Sequence, residues 1–255
     1  MDKVVLITGA SSGIGRSAAY LFASKGYRLI LTGRRQDRLM GIAEELETQY
    51  QTIVQTLCLD IRKAEDVRQK FAEIDLNRFP TIDILINNAG LAAGFGPIDE
   101  GKLDDWDLMI DTNVKGFLYV TKEISLRMKN QGFGHIINIG STAGKEVYPN
   151  GNVYCATKHA VDALNQSMRI DLLPYGIKVT AIHPGACETE FALVRFKGDA
   201  EKAKAVYDGF TPLYPDDIAQ TILYVAELPP NVCINDLTMT CLSQANANHM
   251  LRKKS

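Results

Sequence analysis

Short apolar runs alternate with longer amphipathic stretches along the chain. The runs are rich in Val, Ile and Leu, which predicts buried parallel strands, and they lie at 4–7, 28–32, 53–59, 82–86, 135–139, 177–182 and 236–239. Helical spacing of apolar residues follows the first run as far as about 25 and recurs at about 37–50, 63–77, 104–129, 153–173 and 216–227. This alternation predicts an α/β fold with a doubly wound, mostly parallel sheet and helices on both faces. No repeat or linker interrupts it, so residues 1–255 are predicted to form a single domain.

Composition and charge narrow the class of protein. Apolar residues make up 46% of the chain and charged residues 23%, as in ordinary globular proteins. The formal net charge of -2 leaves no broad basic surface for nucleic acid, and no apolar run approaches the roughly 18 residues of a membrane span. Strand-like sequence from Lys3 onward leaves no room for a signal peptide. Five cysteines, an odd number with no C-x-x-C pair, predict reduced thiols and a cytoplasmic location.

A glycine-rich turn follows the first strand. It reads Thr8-Gly9-Ala10-Ser11-Ser12-Gly13-Ile14-Gly15, with the spacing G-x-x-x-G-x-G. Glycines permit a tight turn and a close approach of the backbone, and the N-terminus of the following helix favours a pyrophosphate. A simple connection between strand and helix would also use glycine, but the position after the first strand of a β/α pattern favours a dinucleotide site.

The end of the second strand indicates which nicotinamide cofactor is used. Enzymes that prefer NAD carry an acidic residue about 20 residues past the glycines, where it binds the ribose 2′-hydroxyl. Here that place reads Gly33-Arg34-Arg35. Two guanidiniums suit a 2′-phosphate, so we predict NADP, with Arg34 as the principal contact and Arg35 as a second. The alternative is that the two arginines only begin a solvated helix.

Candidate proton-transfer chemistry lies at residues 136–158. Ser141 follows the strand that ends at Ile139, and Tyr154 and Lys158 are one turn apart on the next predicted helix. A phenol with a pKa of about 10 is a poor base, and a neighbouring ammonium favours the phenolate. The Ser141 hydroxyl is placed to hold a substrate oxygen beside the phenol. The three residues predict proton transfer to a carbonyl or from an alcohol, although a half-buried Tyr with a solvated Lys would share the spacing.

In combination these motifs, with Asn87-Asn88-Ala89-Gly90 after the fourth strand and Asn113 upstream, resemble the short-chain dehydrogenase/reductase family. The resemblance implies a Rossmann-type sheet and a catalytic set made of Asn113, Ser141, Tyr154 and Lys158. Asn113 would lie at a helix kink whose backbone holds a water between Lys158 and solvent. It further implies that Asp60 accepts from the adenine amino group. The implied cofactor contacts are Gly9, Ser11, Ser12, Gly13, Ile14, Gly15, Arg34, Arg35, Asp60, Ile61, Asn87, Ala89, Gly90, Tyr154, Lys158, Pro184, Gly185 and Thr189.

The resemblance narrows to the branch of NADP-dependent 3-hydroxy acid dehydrogenases, on segments 33–36, 110–113, 139–144 and 194–199. Members of that branch interconvert small 3-hydroxy acids, such as serine, allo-threonine or 3-hydroxypropionate, and the related oxo acids or semialdehydes. It implies a substrate lid at about 188–210. Within the lid, Arg195 is the candidate for binding the carboxylate, with Ser141 and Tyr154 at the hydroxyl group. A solvated lid arginine is the alternative.

Other functions stay open at this stage. A broad carbonyl or 3-oxoacyl reductase would share the catalytic set. A protein that binds NADP(H) without turnover would have no use for the pair formed by Tyr154 and Lys158. His183 is predicted to pack in the core, and no metal site is expected because no second histidine has metal-ligand spacing. The family resemblance also implies a homo-oligomer, a dimer or tetramer, assembled through the helices at 104–129 and 153–173.

Overall fold

Seven parallel strands form one sheet in the computed structural model, which describes residues 3–253. The sheet order is β3-β2-β1-β4-β5-β6-β7. The strands are β1 Val4–Thr8, β2 Arg28–Gly33, β3 Val54–Cys58, β4 Ile84–Asn87, β5 Gly134–Ile139, β6 Ile177–Pro184 and β7 Asp236–Met239. From β1 the strands continue through β2 to β3 at one edge of the sheet. From β4 they continue through β5 and β6 to β7 at the other edge. This confirms the predicted doubly wound, parallel fold and puts its switch point between β1 and β4, where such sheets bind ligands.

Helices cover both faces of the sheet. They are α1 Gly13–Ser24, α2 Gln36–Tyr50, α3 Ala64–Ala72, α4 Leu103–Ile110, α5 Phe117–Gln131, α6 Asn152–Leu172, α7 Phe191–Arg195, α8 Ala200–Ala205 and α9 Pro215–Ala226. One core lies between the sheet and α1, α2 and α9, and the other between the sheet and α3, α5 and α6. The central strands are buried on both sides, which explains why their sequences are continuously apolar. None of the helices in residues 3–253 has both the length and the hydropathy of a membrane span.

The helix predicted at 104–129 is interrupted. Residues Asp111–Gly116 form a π-helical turn between α4 and α5. Gly116 allows the turn to sit against Ile61, because a Cβ at Gly116 would lie 2.7 Å from Ile61 Cγ1. A π turn frees backbone groups from the regular helical ladder and often marks a functional site. The predicted helical stretch at 104–129 is therefore present, and its π turn lies where the family resemblance implied a local kink at Asn113.

Two other boundaries differ from the prediction. The helix predicted at 63–77 ends at Ala72, and Ile74 and Phe79 then turn into the core in non-helical backbone. The strand predicted at 82–86 begins only at Ile84. Ile82 is not in the sheet because its N–H donates to the Gln131 side chain at 2.9 Å, and its carbonyl accepts from the same amide at 3.1 Å. In both segments apolar residues of the irregular backbone face the core. Their spacing in the sequence therefore resembles that of a helix or a strand.

Candidate active site

The glycine-rich turn joins β1 to α1 and is tied to the end of β4. Gly9 and Gly13 have φ values of +67° and +52°, which side-chain-bearing residues rarely adopt. A Cβ at Gly15 would lie 2.5 Å from the Gly9 carbonyl and 2.6 Å from Asn88 Nδ2. The Thr8 hydroxyl accepts from the backbone N–H of Asn88 and of the next residue, each at 3.0 Å. These contacts fix the two loops that form the walls of the cleft at the switch point.

A cavity of about 620 Å³ runs along the carboxyl ends of the strands. Most of the predicted cofactor contacts line it: Gly9, Ser11, Ser12, Gly13, Ile14, Arg34, Arg35, Asp60, Ile61, Ala89, Gly90, Tyr154, Lys158, Pro184, Gly185 and Thr189. Gly15 lies behind the turn and does not line the cavity. The Asn87 side chain is buried and donates to Thr121 Oγ1 of α5 at 3.0 Å, so it joins sheet to helix, and Asn88 lines the cavity instead.

The two arginines after β2 have different surroundings. Arg34 is exposed, and within residues 3–253 its guanidinium has no hydrogen bond or ion pair. Arg35 donates to Ser11 Oγ at 3.0 Å, to Ser12 Oγ at 2.7 Å and to Glu190 Oε2 at 2.7 Å. It thereby connects the glycine-rich turn to the start of the predicted lid. Arg34 is therefore the arginine whose charge is available to an incoming phosphate.

At the predicted adenine pocket the carboxylate is already engaged. Both oxygens of Asp60 accept from Arg62, which donates from Nε at 3.0 Å and from Nη2 at 2.5 Å. These hydrogen bonds hold the pKa of the Asp60 carboxyl below its usual range. Asp60 and Ile61 line the cavity, but a contact between Asp60 and an adenine amino group would have to share these oxygens with Arg62.

Ser141, Tyr154 and Lys158 meet where β5 ends. The Ser141 hydroxyl accepts from the backbone N–H of Ala143 at 3.1 Å, and Ser141 lines the cavity together with Tyr154. Tyr154 and Lys158 lie on one face of α6 and are only 8% and 7% exposed. Lys158 Nζ donates to the carbonyl of Ile139 at 3.0 Å. The chain therefore brings together the three side chains that the sequence predicted for proton transfer.

Burial dominates the acidity of this pair. Burial raises the pKa of the Tyr154 phenol well above its ordinary value, opposed by the nearby Ser141 hydroxyl and by the positive charge of Arg195. Burial also lowers the pKa of the Lys158 ammonium to about 8. The direction at Tyr154 is the reverse of that expected from Lys158 alone, because desolvation disfavours the charged form of each group. Tyr154 is thus a protonated donor in the protein, suited to giving a proton to a carbonyl.

Asn113 connects the π turn to the catalytic helix. Its side-chain oxygen accepts from Leu91 N at 2.9 Å, and its amide donates to Leu91 O at 2.7 Å and to Thr157 Oγ1 at 3.0 Å. Thr157 lies between Tyr154 and Lys158 on α6. A Cβ at Gly90 would lie 3.2 Å from Asn113 Oδ1 and 3.6 Å from Lys158 Nζ, so this glycine allows the close packing. Both amide hydrogens of Asn113 and one lone pair of its oxygen are used in these contacts, so the side chain holds the π turn against Leu91 and Thr157.

Arg195 reaches the cavity from α7. Its guanidinium carbon lies between 5.1 and 5.7 Å from the centres of four rings, those of Phe95, Tyr148, Tyr154 and Phe191. One nitrogen, Nη2, donates to the hydroxyl of Tyr148 at 2.6 Å. The Nε atom is buried without a partner, and no acidic side chain within residues 3–253 pairs with this cation. Sequence reasoning found Arg195 and Tyr154 but missed the other rings, because Phe95 and Tyr148 lie in loops that are distant from the lid in sequence.

His183 is buried behind Ser141 and contacts a cluster of charged side chains that are partly exposed. Its Nε2 lies 3.0 Å from Asp236 Oδ2, and its Nδ1 lies 3.3 Å from the Ser141 carbonyl. Lys145 donates to Asp162 at 2.8 Å and to Asp236 at 2.6 Å. The oxygens and nitrogen of Asp162, His183 and Asp236 lie within 4.8 Å of one another, and the Lys145 ammonium is the cation bound to both carboxylates. The cluster supports the loop that carries Ser141.

Known proteins share this architecture. The family model for short chain dehydrogenases matches residues 3–199. The chain is 42% identical over 245 residues to the NADP-dependent 3-hydroxy acid dehydrogenase YdfG of Salmonella typhi, covering 96% of this chain and 97% of that protein. It is 43% identical to sulfoacetaldehyde reductase 2 of Chromohalobacter salexigens, over 96% of each chain. A serine dehydrogenase in its closed form, complexed with NADP+, superposes with a TM-score of 0.91 at 40% identity, over 98% of this chain and all of that one. With its glycine-rich turn and its serine, tyrosine and lysine at the cavity, the chain belongs to the short-chain dehydrogenase family.

Proposed function

We propose that this protein is an NADP-dependent oxidoreductase that interconverts small 3-hydroxy acids and their 3-oxo acids or semialdehydes. The observation that carries the substrate class is Arg195, a half-buried cation beside Tyr154 with no acidic partner among the described residues. Burying a charge is unfavourable unless it is paired. A carboxylate on the substrate supplies the missing partner, and a guanidinium binds both of its oxygens. Serine, allo-threonine and 3-hydroxypropionate are acids of this kind.

In the proposed reaction each of the cavity residues Tyr154, Ser141 and Lys158 has a separate role. The nicotinamide, when bound, supplies or receives the hydride. In reduction, Tyr154 donates its phenolic proton to the carbonyl oxygen, and the Ser141 hydroxyl holds that oxygen in place. The Lys158 ammonium stabilises the phenolate that remains. In oxidation the proton moves the other way, from the substrate hydroxyl to the phenolate. Through its bond to Thr157, Asn113 holds α6 and the π turn in fixed positions relative to each other during the reaction.

The proposed cofactor follows from the free guanidinium of Arg34. A 2′-phosphate placed at the end of β2 meets the Arg34 cation, which has no hydrogen-bond or ion-pair partner among residues 3–253, whereas Arg35 is shared with two serines and Glu190. No acidic residue stands at this strand end to bind an unmodified 2′-hydroxyl. The related 3-hydroxy acid dehydrogenase is described as NADP-dependent, and the related serine dehydrogenase is complexed with NADP+. These observations support NADP and Arg34 as its principal contact.

The substrate proposal predicts a selective defect in Arg195→Ala. We expect kcat/KM for L-allo-threonine and 3-hydroxypropionate to fall about 10²- to 10³-fold, because an ionic contact to the substrate is lost. Oxidation of a neutral secondary alcohol should change by less than about threefold. Initial rates of NADP reduction measure both. The matched control is Arg252→Ala, since Arg252 also lines the cavity and covers a ring but donates to the backbone carbonyls of Asp208 and Val206.

Arg252→Ala should change kcat/KM for the acids and for the neutral alcohol by the same factor. Equal activity of wild type and Arg195→Ala on the acids would contradict the acid proposal and favour the broad carbonyl or 3-oxoacyl reductase. A sulfonate substrate deserves a place in the assay, because it would meet the same cation and a relative is a sulfoacetaldehyde reductase. A loss shared by isethionate and the carboxylates would extend the substrate class to small sulfonates. The non-catalytic alternative is disfavoured because Ser141, Tyr154 and Lys158 all line the same cavity.

We also propose a cytoplasmic homo-oligomer, a dimer or tetramer that assembles through α5 and α6. Both helices present large apolar side chains outward: Leu118 is 40% exposed, Leu126 50% and Ile170 73%. Large exposed apolar side chains on these helices are consistent with an interaction surface. All five cysteines are free thiols, as expected for a reducing compartment.

A further inference from the structure

Tyr148 has a hydroxyl with an unused hydrogen in the cavity. It precedes α6 and lines the cavity beside Arg195, whose Nη2 donates to its oxygen at 2.6 Å. A tyrosine hydroxyl can accept one hydrogen bond while donating its own hydrogen to another group. Within residues 3–253 no acceptor takes that hydrogen. Arg195 thus occupies the accepting side of the phenol and leaves its donating side free.

The ring of Tyr148 is held in a fixed position. The backbone N–H of Gly151 donates to the Tyr148 carbonyl at 3.2 Å and closes a short turn. A Cβ at Gly151 would lie 2.2 Å from the ring, so only glycine lets the turn pack this closely. The ring centre also lies 5.5 Å from the guanidinium carbon of Arg195. A donor oriented before binding loses little conformational entropy when a ligand arrives.

The phenol remains neutral over the working range of pH. Burial raises the pKa of Tyr148, and the nearby positive charge of Arg195 only partly opposes this effect. A neutral hydroxyl donates to an anion without repelling it, and hydrogen bonds to charged groups are the stronger ones. Tyr148 is also distinct from Tyr154, the proposed proton donor, which lies one helical turn from Lys158 on α6.

We propose that Tyr148 is a second specificity-determining residue, whose hydroxyl donates to the substrate carboxylate while Arg195 supplies the charge. This inference rests on the proposed function, in which the substrate is a small hydroxy acid. The hydroxyl fixes the direction of Arg195 through one hydrogen bond and contacts the anion through the other. Two donors of fixed direction then hold the carboxylate, and a neutral group at the same place gains neither the ionic contact nor the stronger hydrogen bond.

The test is binding of propionate, a carboxylate that cannot react, to the enzyme–NADP+ complex. In Tyr148→Phe we expect the dissociation constant of propionate, measured by titration calorimetry, to rise about 10-fold or more, because a hydrogen bond to a charged group is lost. The dissociation constant of NADPH, measured by fluorescence, should stay within twofold. Tyr224→Phe, in which an exposed tyrosine of α9 loses its hydroxyl, should leave both constants unchanged.

Two results would overturn the inference. One is a propionate constant in Tyr148→Phe within twofold of wild type, and the other is a wild-type enzyme that does not bind propionate. Failure of the proposed function gives a different pattern, in which wild type binds propionate and loses that binding in Tyr148→Phe, yet oxidises no hydroxy acid. The binding measurement therefore judges the anion contact separately from turnover.

Discussion

Replacement of Tyr154 by Phe is expected to lower kcat by at least about 10³-fold in both directions of the reaction. The phenol is the group that transfers the proton, and positioned general acids contribute roughly 10²- to 10⁴-fold. The substitution removes one oxygen from a side chain that is 8% exposed, and the ring contact with Phe191 at 5.4 Å is retained. The dissociation constant of NADPH should therefore stay within about threefold of wild type. Steady-state rates and a fluorescence titration measure the two quantities.

Tyr224→Phe is the control for this experiment, since it removes an exposed phenol far from the cavity and should leave kcat unchanged. A Tyr154→Phe enzyme with near wild-type turnover would refute the assignment of the proton donor. A parallel loss of NADPH binding would instead show that the substitution had damaged the cofactor site.

Lys158→Met should lower kcat by about 10²-fold or more and also weaken NADPH binding. Its ammonium is the charge that stabilises the Tyr154 phenolate during proton transfer, and it lies where the cavity meets Gly90 and the carbonyl of Ile139. The matched control is Lys178→Met. Lys178 is also partly buried, burial lowers its pKa too, and its ammonium donates to the carbonyls of Leu228 and Val232. The control should leave kcat within about twofold.

The pH dependence gives a second readout of Lys158. Its folded pKa of about 8 lies below the ordinary lysine value, so its charge is present at lower pH and is lost as pH rises through about 8. Carbonyl reduction, which needs that charge to support the developing phenolate, should therefore slow above about pH 8 in wild type. Lys158→Met should lack this decline. A decline of equal size in Lys158→Met would assign the titration to another group.

Local sequence patterns were sufficient to predict the centre of the cavity. The glycine-rich turn needs glycine for its positive φ values, and Tyr154 and Lys158 need only the helical period to share a face. Both are short-range properties that a sequence displays directly. The doubly wound sheet was predictable for a similar reason, because strands covered on both faces are continuously apolar.

Features that depend on distant contacts were not predictable. Glu190 pairs with Arg35 and Arg38, which lie about 150 residues away in the sequence. No local sequence pattern predicts these two ion pairs. Asn87 reads like a cavity residue, but only the packing of α5 shows that it binds Thr121. The opposite direction of the Tyr154 pKa has the same origin, because spacing reveals the neighbouring Lys158 but not the depth at which both groups are buried.

The most direct test of the proposed function is the set of initial rates of wild-type enzyme with NADP and with NAD. Each cofactor is measured against L-serine, L-allo-threonine, 3-hydroxypropionate and a neutral secondary alcohol. We predict reduction of NADP only, and faster with the acids, because Arg34 offers its charge to a 2′-phosphate and Arg195 to a carboxylate. Preference for NAD would contradict the assignment of Arg34. Preference for the neutral alcohol would contradict the hydroxy acid proposal and leave a general carbonyl reductase.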